Sequence, residues 1–188
     1  EYSETNPYRL LYVSSVDQYK HQWHLIEAVH FLRKQGIPVK LDLVGPAFPP
    51  ALIRLNAAIA QFDPENIWVR YLGAVPYQEL NNLYAQADLG VFASSCENMP
   101  IILLETMASG LPIACSNRGP MPEILGDAGL YFDPERPTEI MQSLRKYIDS
   151  PELRSEKASS SIASCQQYSW SRCADETFTF LAKVRLAS

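Results

Sequence analysis

Apolar and polar positions along this chain change period repeatedly. Short apolar runs rich in β-branched and aromatic residues occupy positions 9–13, 39–44, 67–71, 89–92, 112–115 and 130–132, and longer stretches of helical period separate them. Residues 21–35 place Leu25, Val29 and Leu32 on one face at i, i+4 and i+7, and the pattern stops at Gly36 and Pro38. Helices are also predicted over 50–61, 77–86 and 100–109, the last opening on Pro100 at the first helical position and closing at Gly110. Strands alternating with helices imply a parallel sheet covered on both faces. The predicted fold class is therefore α/β, a doubly wound, Rossmann-like parallel sheet. Beyond Phe132 the pattern turns all-helical, over 138–149, 151–167 and 170–184, with Asp149-Ser150-Pro151 as a break. These C-terminal helices, from about residue 137, are expected to wrap the sheet within a single domain covering 1–188.

Composition narrows the function classes. At 188 residues, 47% hydrophobic and 20% charged, the chain matches a globular domain with a substantial core. Its net charge of -5, with no run of Lys or Arg, argues against nucleic acid as a partner. The four cysteines contain no C-x-x-C pair, so neither a zinc site nor a disulfide framework is spelled out. Cys96 and Cys115 flank apolar runs and are expected to be buried thiols, which fits a reducing, cytoplasmic setting. No apolar segment approaches the roughly 20 residues of a membrane span, and the N-terminus lacks the regions of a signal peptide. The chain opens at Glu1 and enters its first strand within ten residues, as expected of a piece of something longer.

In open parallel sheets, ligands bind at the carboxyl ends of the strands, where loops lead into helix N-termini whose free N–H groups favour anions. The candidate loops are 14–20, 45–46, 72–75, 93–100 and 116–121. The fourth is the most informative. Ser94-Ser95-Cys96-Glu97-Asn98-Met99-Pro100 passes from strand to helix, and Glu105 is then the only charged residue between Met99 and Ser116. A carboxylate in so apolar a helix is costly unless it is paired, hydrogen-bonded or turned toward a polar ligand. Glu97 sits before the helix, so the two carboxylates flank its start instead of sharing a face. That arrangement suits a ligand with phosphates over the N–H groups of residues 98–103 and hydroxyl-bearing rings at either side.

The segment ENMPIILLETMASGLPIACSNRGPMPEILGDAGLYFDP resembles the signature region of the retaining glycosyltransferases of family 4, which have the GT-B fold. E-x7-E, a small-residue turn, G-x-P, P-E-[hydrophobic] and G-D-A-G-L follow in order, and the resemblance runs from Leu11 through the Gly73–Pro76 turn to the terminal helices. It implies the C-terminal, donor-binding half of a GT-B enzyme that moves a hexosyl group from a UDP- or GDP-linked sugar to a hydroxyl. By that resemblance Glu105 holds the ribose hydroxyls, and Glu97 faces the donor sugar near its anomeric carbon. The amides over Asn98, Met99, Pro100, Ile101 and Ile102 take sugar hydroxyls and phosphate, and Lys20 contacts the diphosphate. Tyr71, Leu72, Gly73 and Val75 line the base pocket. The chain departs from the family at Ser14-Ser15, where Gly-Arg is usual, so a cation on the diphosphate is missing. The implied partners are a nucleotide sugar and the protein's own N-terminal acceptor domain, through which alone any peripheral membrane association would run. No cofactor or metal is implied, and no D-x-D occurs. This piece alone is expected to bind nucleotide and to transfer little or nothing.

Without the family, Lys20 reads as a surface lysine, Arg118 as solvent-exposed and Glu123 as a complement to a helix N-terminus. His21 borders Lys20 and is placed to touch ligand, while His24 and His30 read as helix surface and form no metal site. A dinucleotide-dependent oxidoreductase would require G-x-G-x-x-G after the first strand, where Ser14-Ser15-Val16-Asp17 stands instead. A non-catalytic nucleotide-sugar-binding or regulatory module remains the alternative, as do isomerases and phosphorylases built on the same fold.

Overall fold

The computed structural model describes residues 2–187, with side chains through residue 185. Six strands form one sheet: β1 (Tyr8–Val13), β2 (Val39–Val44), β3 (Val69–Tyr71), β4 (Leu89–Phe92), β5 (Ile113–Ser116) and β6 (Gly129–Phe132). Every pairing is parallel and the spatial order is β3-β2-β1-β4-β5-β6. β4 and β5 are buried throughout, which explains why they read as continuous apolar runs without alternation. Strand order reverses between β1 and β4, where Leu10 lies opposite Leu89.

Among the described residues the strands are accompanied by eight α-helices: α1 (Gln22–Lys34), α2 (Pro49–Phe62), α3 (Tyr77–Gln86), α4 (Ile101–Ala108), α5 (Met121–Leu125), α6 (Pro137–Asp149), α7 (Pro151–Cys165) and α8 (Trp170–Ala187). α1 packs against α2 and α6, and its apolar stripe of Leu25, Ile26, Val29 and Leu32 is buried in one core with Leu10 and Tyr12 of the sheet. Each such aliphatic burial stabilises the fold by about 1.5–3 kcal/mol relative to exposure. The alternate strand residues Leu11 and Val13 point the other way and form a smaller cluster with Leu80 and Tyr84 of α3. The chain is therefore wound on both faces, as the alternating pattern predicts.

Three sequence expectations need correction. β3 starts at Val69 and not at 67, because the buried Asp63 carboxylate takes the amides of Ile67, Trp68 and Val69 at 2.9, 2.9 and 2.8 Å and turns the chain into the ladder. Cys115 is buried but Cys96 is exposed, since it belongs to the loop beyond β4. Of the C-terminal helices, α6 packs on α1 and α7 on α4, whereas α8 is exposed along its described side chains. Its side chains through residue 185 are exposed, Trp170, Phe178 and Leu181 among them. None of the described helices is long and apolar enough to cross a membrane.

At the end of β2, Gly45 has φ +141°, and a Cβ there would lie 2.2 Å from the carbonyl oxygen of Ser14. Only glycine lets the ends of β1 and β2 approach so closely. That approach shapes the floor from which the first loop departs.

Candidate functional site

The loops leaving β1 and β4 meet where the strand order reverses, which is where open α/β sheets form their ligand crevice. In the first loop, Asp17 caps a single 3₁₀ turn over Gln18–Lys20 by accepting from the Gln18 amide at 2.6 Å. The second loop is stitched to that turn. The Ser95 amide donates to the Tyr19 carbonyl at 2.8 Å, and the Ser94 and Ser95 hydroxyls aim at the same oxygen at 3.4 and 3.3 Å. His21 Nε2 and Ser95 Oγ lie 2.8 Å apart, and the buried Tyr12 phenol donates to the Lys20 carbonyl at 3.0 Å from below.

These braces bring the Lys20 ammonium onto the Glu97 carboxylate. The side chains are only 10% and 15% exposed, so Lys20 is no surface lysine. An ammonium so far removed from water would be costly to bury without the carboxylate that faces it. The rings of Tyr19 and Phe92 lie 5.0 and 5.7 Å from Lys20 Nζ and add cation–π attraction. A cavity of about 230 Å³ opens beside the pair, walled by Ser14, Ser15, Phe92, Met99, Pro100 and Ile102. Ser14 turns its hydroxyl to the Ser15 carbonyl at 2.9 Å, and neither serine brings charge.

α4 begins at Ile101, one residue later than the sequence suggests, with Pro100 as its cap. The Pro100 carbonyl accepts from Leu103 and Leu104, and the Ile101 amide bonds back to the Met99 carbonyl at 2.9 Å. Among the described residues this leaves the amides of Asn98, Met99 and Ile102 without a backbone partner, since Pro100 has no N–H. The stretch assigned to anions thus offers three donors beside the Lys20–Glu97 pair.

Glu105 lies farther along α4, and its carboxylate meets α3. The Tyr77 hydroxyl donates to Glu105 Oε1 at 3.2 Å, while Oε2 is buried and finds no donor among the described residues. The adjacent carboxylate holds the Tyr77 phenol above its ordinary pKa. Two cavities adjoin this contact and share Tyr77, Glu105 and Ala108 in their walls. One, of about 190 Å³, continues along Leu80, Asn81 and Tyr84. The other, of about 320 Å³, continues along Leu104, Tyr168 and Trp170. Sequence reasoning missed Tyr77. Its signal was positional: it is the first residue of the helix that follows the third strand's loop.

The predicted base-pocket residues are otherwise engaged. Tyr71 donates its phenol to the Gly45 carbonyl at 2.9 Å, and the Gly45 amide donates to the Gly73 carbonyl at 2.8 Å. Gly73 makes the turn with φ +66°. Val75 packs on the cluster of Leu11, Val13 and Val44, while Leu72 is exposed. The stretch is braced onto the end of β2, only Leu72 presents a large exposed side chain, and none of these residues lines the cavities beside Lys20 and Glu105.

His21 caps α1 with φ 52°, in the left-handed region, and is buried. Burial lowers its pKa, with His24 adding to the effect from a stacked ring 5.3 Å away, and its Nδ1 has no partner among the described residues. His24 and His30 are half-buried rather than free helix surface: His24 Nδ1 lies 3.0 Å from the Pro134 carbonyl oxygen, and His30 packs on Phe62. Arg118 is exposed and pairs with Asp133 at 2.7 Å, and Glu123 is exposed in the first turn of α5. Among the described residues no group of three His, Cys, Asp or Glu side chains is arranged to hold a metal.

Comparison with known proteins identifies the family and the fold. The family model described as Glycosyl transferases group 1 matches residues 2–161. The O-antigen chain mannosyltransferase B of Escherichia coli is 36% identical over 110 residues, covering 58% of this chain and 29% of that protein. The MMP alpha-(1->4)-mannosyltransferase of Mycolicibacterium hassiacum is 29% identical over 181 residues, 94% of this chain and 43% of that one. Among solved structures, Anabaena HepE in complex with UDP superposes with a TM-score of 0.83 at 22% identity, covering 96% of this chain and 50% of that one. The alpha,alpha-trehalose 6-phosphate synthase of Burkholderia multivorans superposes with a TM-score of 0.86 at 15% identity, covering 98% and 44%. At these identities the structural likeness establishes the fold, and the chain spans half or less of each of these proteins.

Proposed function

The chain belongs to the glycosyl transferases group 1 family, and on that premise we propose that it is the donor-binding domain, the C-terminal half, of a retaining GT-B glycosyltransferase. It holds a UDP- or GDP-linked hexose for transfer to a hydroxyl acceptor, which an N-terminal acceptor domain presents. The observation that carries this reading is the convergence of Lys20, Glu97 and the α4 amides at the reversal of strand order, with Glu105 farther along the same helix.

A departing nucleoside diphosphate gathers negative charge. Lys20 and the amides of Asn98, Met99 and Ile102 are the fixed donors that stabilise it. The entering diphosphate draws Lys20 from Glu97, and the released carboxylate then stabilises positive charge at the anomeric carbon. Glu105 takes the ribose hydroxyls, and the border from Tyr71 to Val75 flanks the base. With no arginine at Ser14-Ser15, more of the diphosphate's charge falls to Lys20. The HepE complex with UDP and the mannosyltransferase relatives support a sugar nucleotide as ligand. Neutralisation by Lys20 and amides needs no metal, and the cysteine usage fits a cytoplasmic setting. Since orientation of both substrates supplies much of the rate, this domain alone should transfer little.

Thermal denaturation with UDP, GDP, ADP, dTDP and their sugars tests the proposal. A ligand bound only to the native state adds about 2.7 kcal/mol at a hundredfold excess over its dissociation constant. The Glu105→Gln variant should lose much of the resulting shift. No shift from any nucleotide at millimolar concentration would overturn the donor-site reading.

A further inference from the structure

Glu105 is the carboxylate to which the proposed function gives the ribose, yet its Oε1 already has a donor in the Tyr77 hydroxyl. The bond is 3.2 Å long, whereas an O–H donor on a carboxylate commonly sits at about 2.5–2.7 Å. A better-placed hydroxyl would therefore replace it. Oε2 is shut off from solvent and has no donor among the described residues, so an incoming hydroxyl meets the carboxylate at Oε1, which Tyr77 already occupies. The Tyr77 side chain is free to give way: it is 67% exposed and stands at the first position of α3, outside both core clusters. Its ring and Glu105 form a wall common to the cavities of about 190 and 320 Å³, so movement of that ring bears on both.

We propose that Tyr77 tunes nucleoside affinity by competing for Glu105: its phenol stands in for a ligand hydroxyl and is displaced when the ribose arrives. This rests on the donor-site reading and adds a residue to it. A nucleotide with ribose hydroxyls competes with the Tyr77 phenol for Oε1. One that lacks them leaves the bond alone. Tyr77 thus weakens binding of ribonucleotides selectively and narrows the margin by which the site prefers them.

The test is the dissociation constant of UDP, or of GDP if that is the nucleotide bound, measured by calorimetry beside its 2′,3′-dideoxy analogue, for wild type and Tyr77→Phe. Phenylalanine keeps the exposed ring and removes only the hydroxyl, so the melting temperature is expected to fall by no more than about 2–4 °C, the counterpart of the bond lost in the free protein. Ribonucleotide binding should tighten about three- to tenfold, the range a hydrogen bond's net contribution spans. The dideoxy analogue should bind the two proteins equally, widening their ratio. Weaker ribonucleotide binding by Tyr77→Phe would show instead that the phenol positions Glu105, and equal tightening of both ligands would show that no competition for Glu105 is involved. Either result, or an unchanged ratio, overturns the proposal while leaving the donor site standing. Failure of the wild type to bind any nucleoside diphosphate would overturn both.

Discussion

Lys20 and Glu97, 77 residues apart in the chain, pair as ammonium and carboxylate across the point where the order of the strands reverses. Each would be costly to bury alone, and together they keep two opposite charges poised in one crevice. Their neutrality as a pair explains how a polar site sits beside the apolar walls of Phe92 and Ile102.

Removing one partner strands the other. Lys20→Met is expected to lower the unfolding free energy by about 1–3 kcal/mol, less than the loss for a fully buried pair because some solvent reaches both groups. The Lys20→Met, Glu97→Gln double variant should recover part of that loss. Urea denaturation of the two single variants and the double variant checks this, and strictly additive losses would show that the groups do not interact.

Gly45 admits no side chain. With φ +141° and a Cβ 2.2 Å from the Ser14 carbonyl oxygen, Gly45→Ala must push β1 and β2 apart. A destabilisation of about 2–4 kcal/mol is expected, among the larger effects of single substitutions. A urea midpoint within error of wild type would contradict the close approach.

His21 makes stability depend on pH. Burial and the neighbouring His24 and Arg54 hold its pKa below the ordinary 6.5, against an opposing pull from Glu135 and Asp133. The unfolded chain therefore binds the proton more readily, so His21's contribution is fully present above about pH 6.5 and is lost as pH falls toward its lowered folded value. Unfolding free energies measured from pH 7.5 to 5.5 should fall more steeply for wild type than for His21→Asn. Parallel slopes would remove His21 as the cause.

Three of the four cysteines should label in two classes. Cys96 and Cys173 are exposed and should react quickly with a thiol reagent, whereas Cys115 is buried and burial pushes its thiol pKa up. Reaction of Cys115 should wait for unfolding. Because Cys96 adjoins Glu97, a bound nucleoside diphosphate should slow its labelling. Fast labelling of Cys115 in the native protein would contradict the packing of β5.

The strands and most helices were legible because their signals are local. Leu25, Val29 and Leu32 fall on one helical face whatever they pack against, and Gly36 and Pro38 stop that helix without reference to the sheet. Glu105 stood out for the same reason, as the one charge in an apolar stretch. Where a distant group intervened, local reading failed. Asp63 delays β3, a brace of serines and Tyr12 buries Lys20, and the described side chains of α8 stay exposed despite its apolar positions.

By itself, then, the amino-acid sequence determined the α/β alternation, the loops that carry chemistry and the family resemblance, because period, turn residues and motif spacing act over a few neighbouring positions. The tertiary structure decided which of those loops meet. Only when β1 lies beside β4 does Lys20 face Glu97, and only when α3 lies against α4 does Tyr77 reach Glu105. Neither contact has a local cause: each follows from the order in which crossover connections lay the strands side by side.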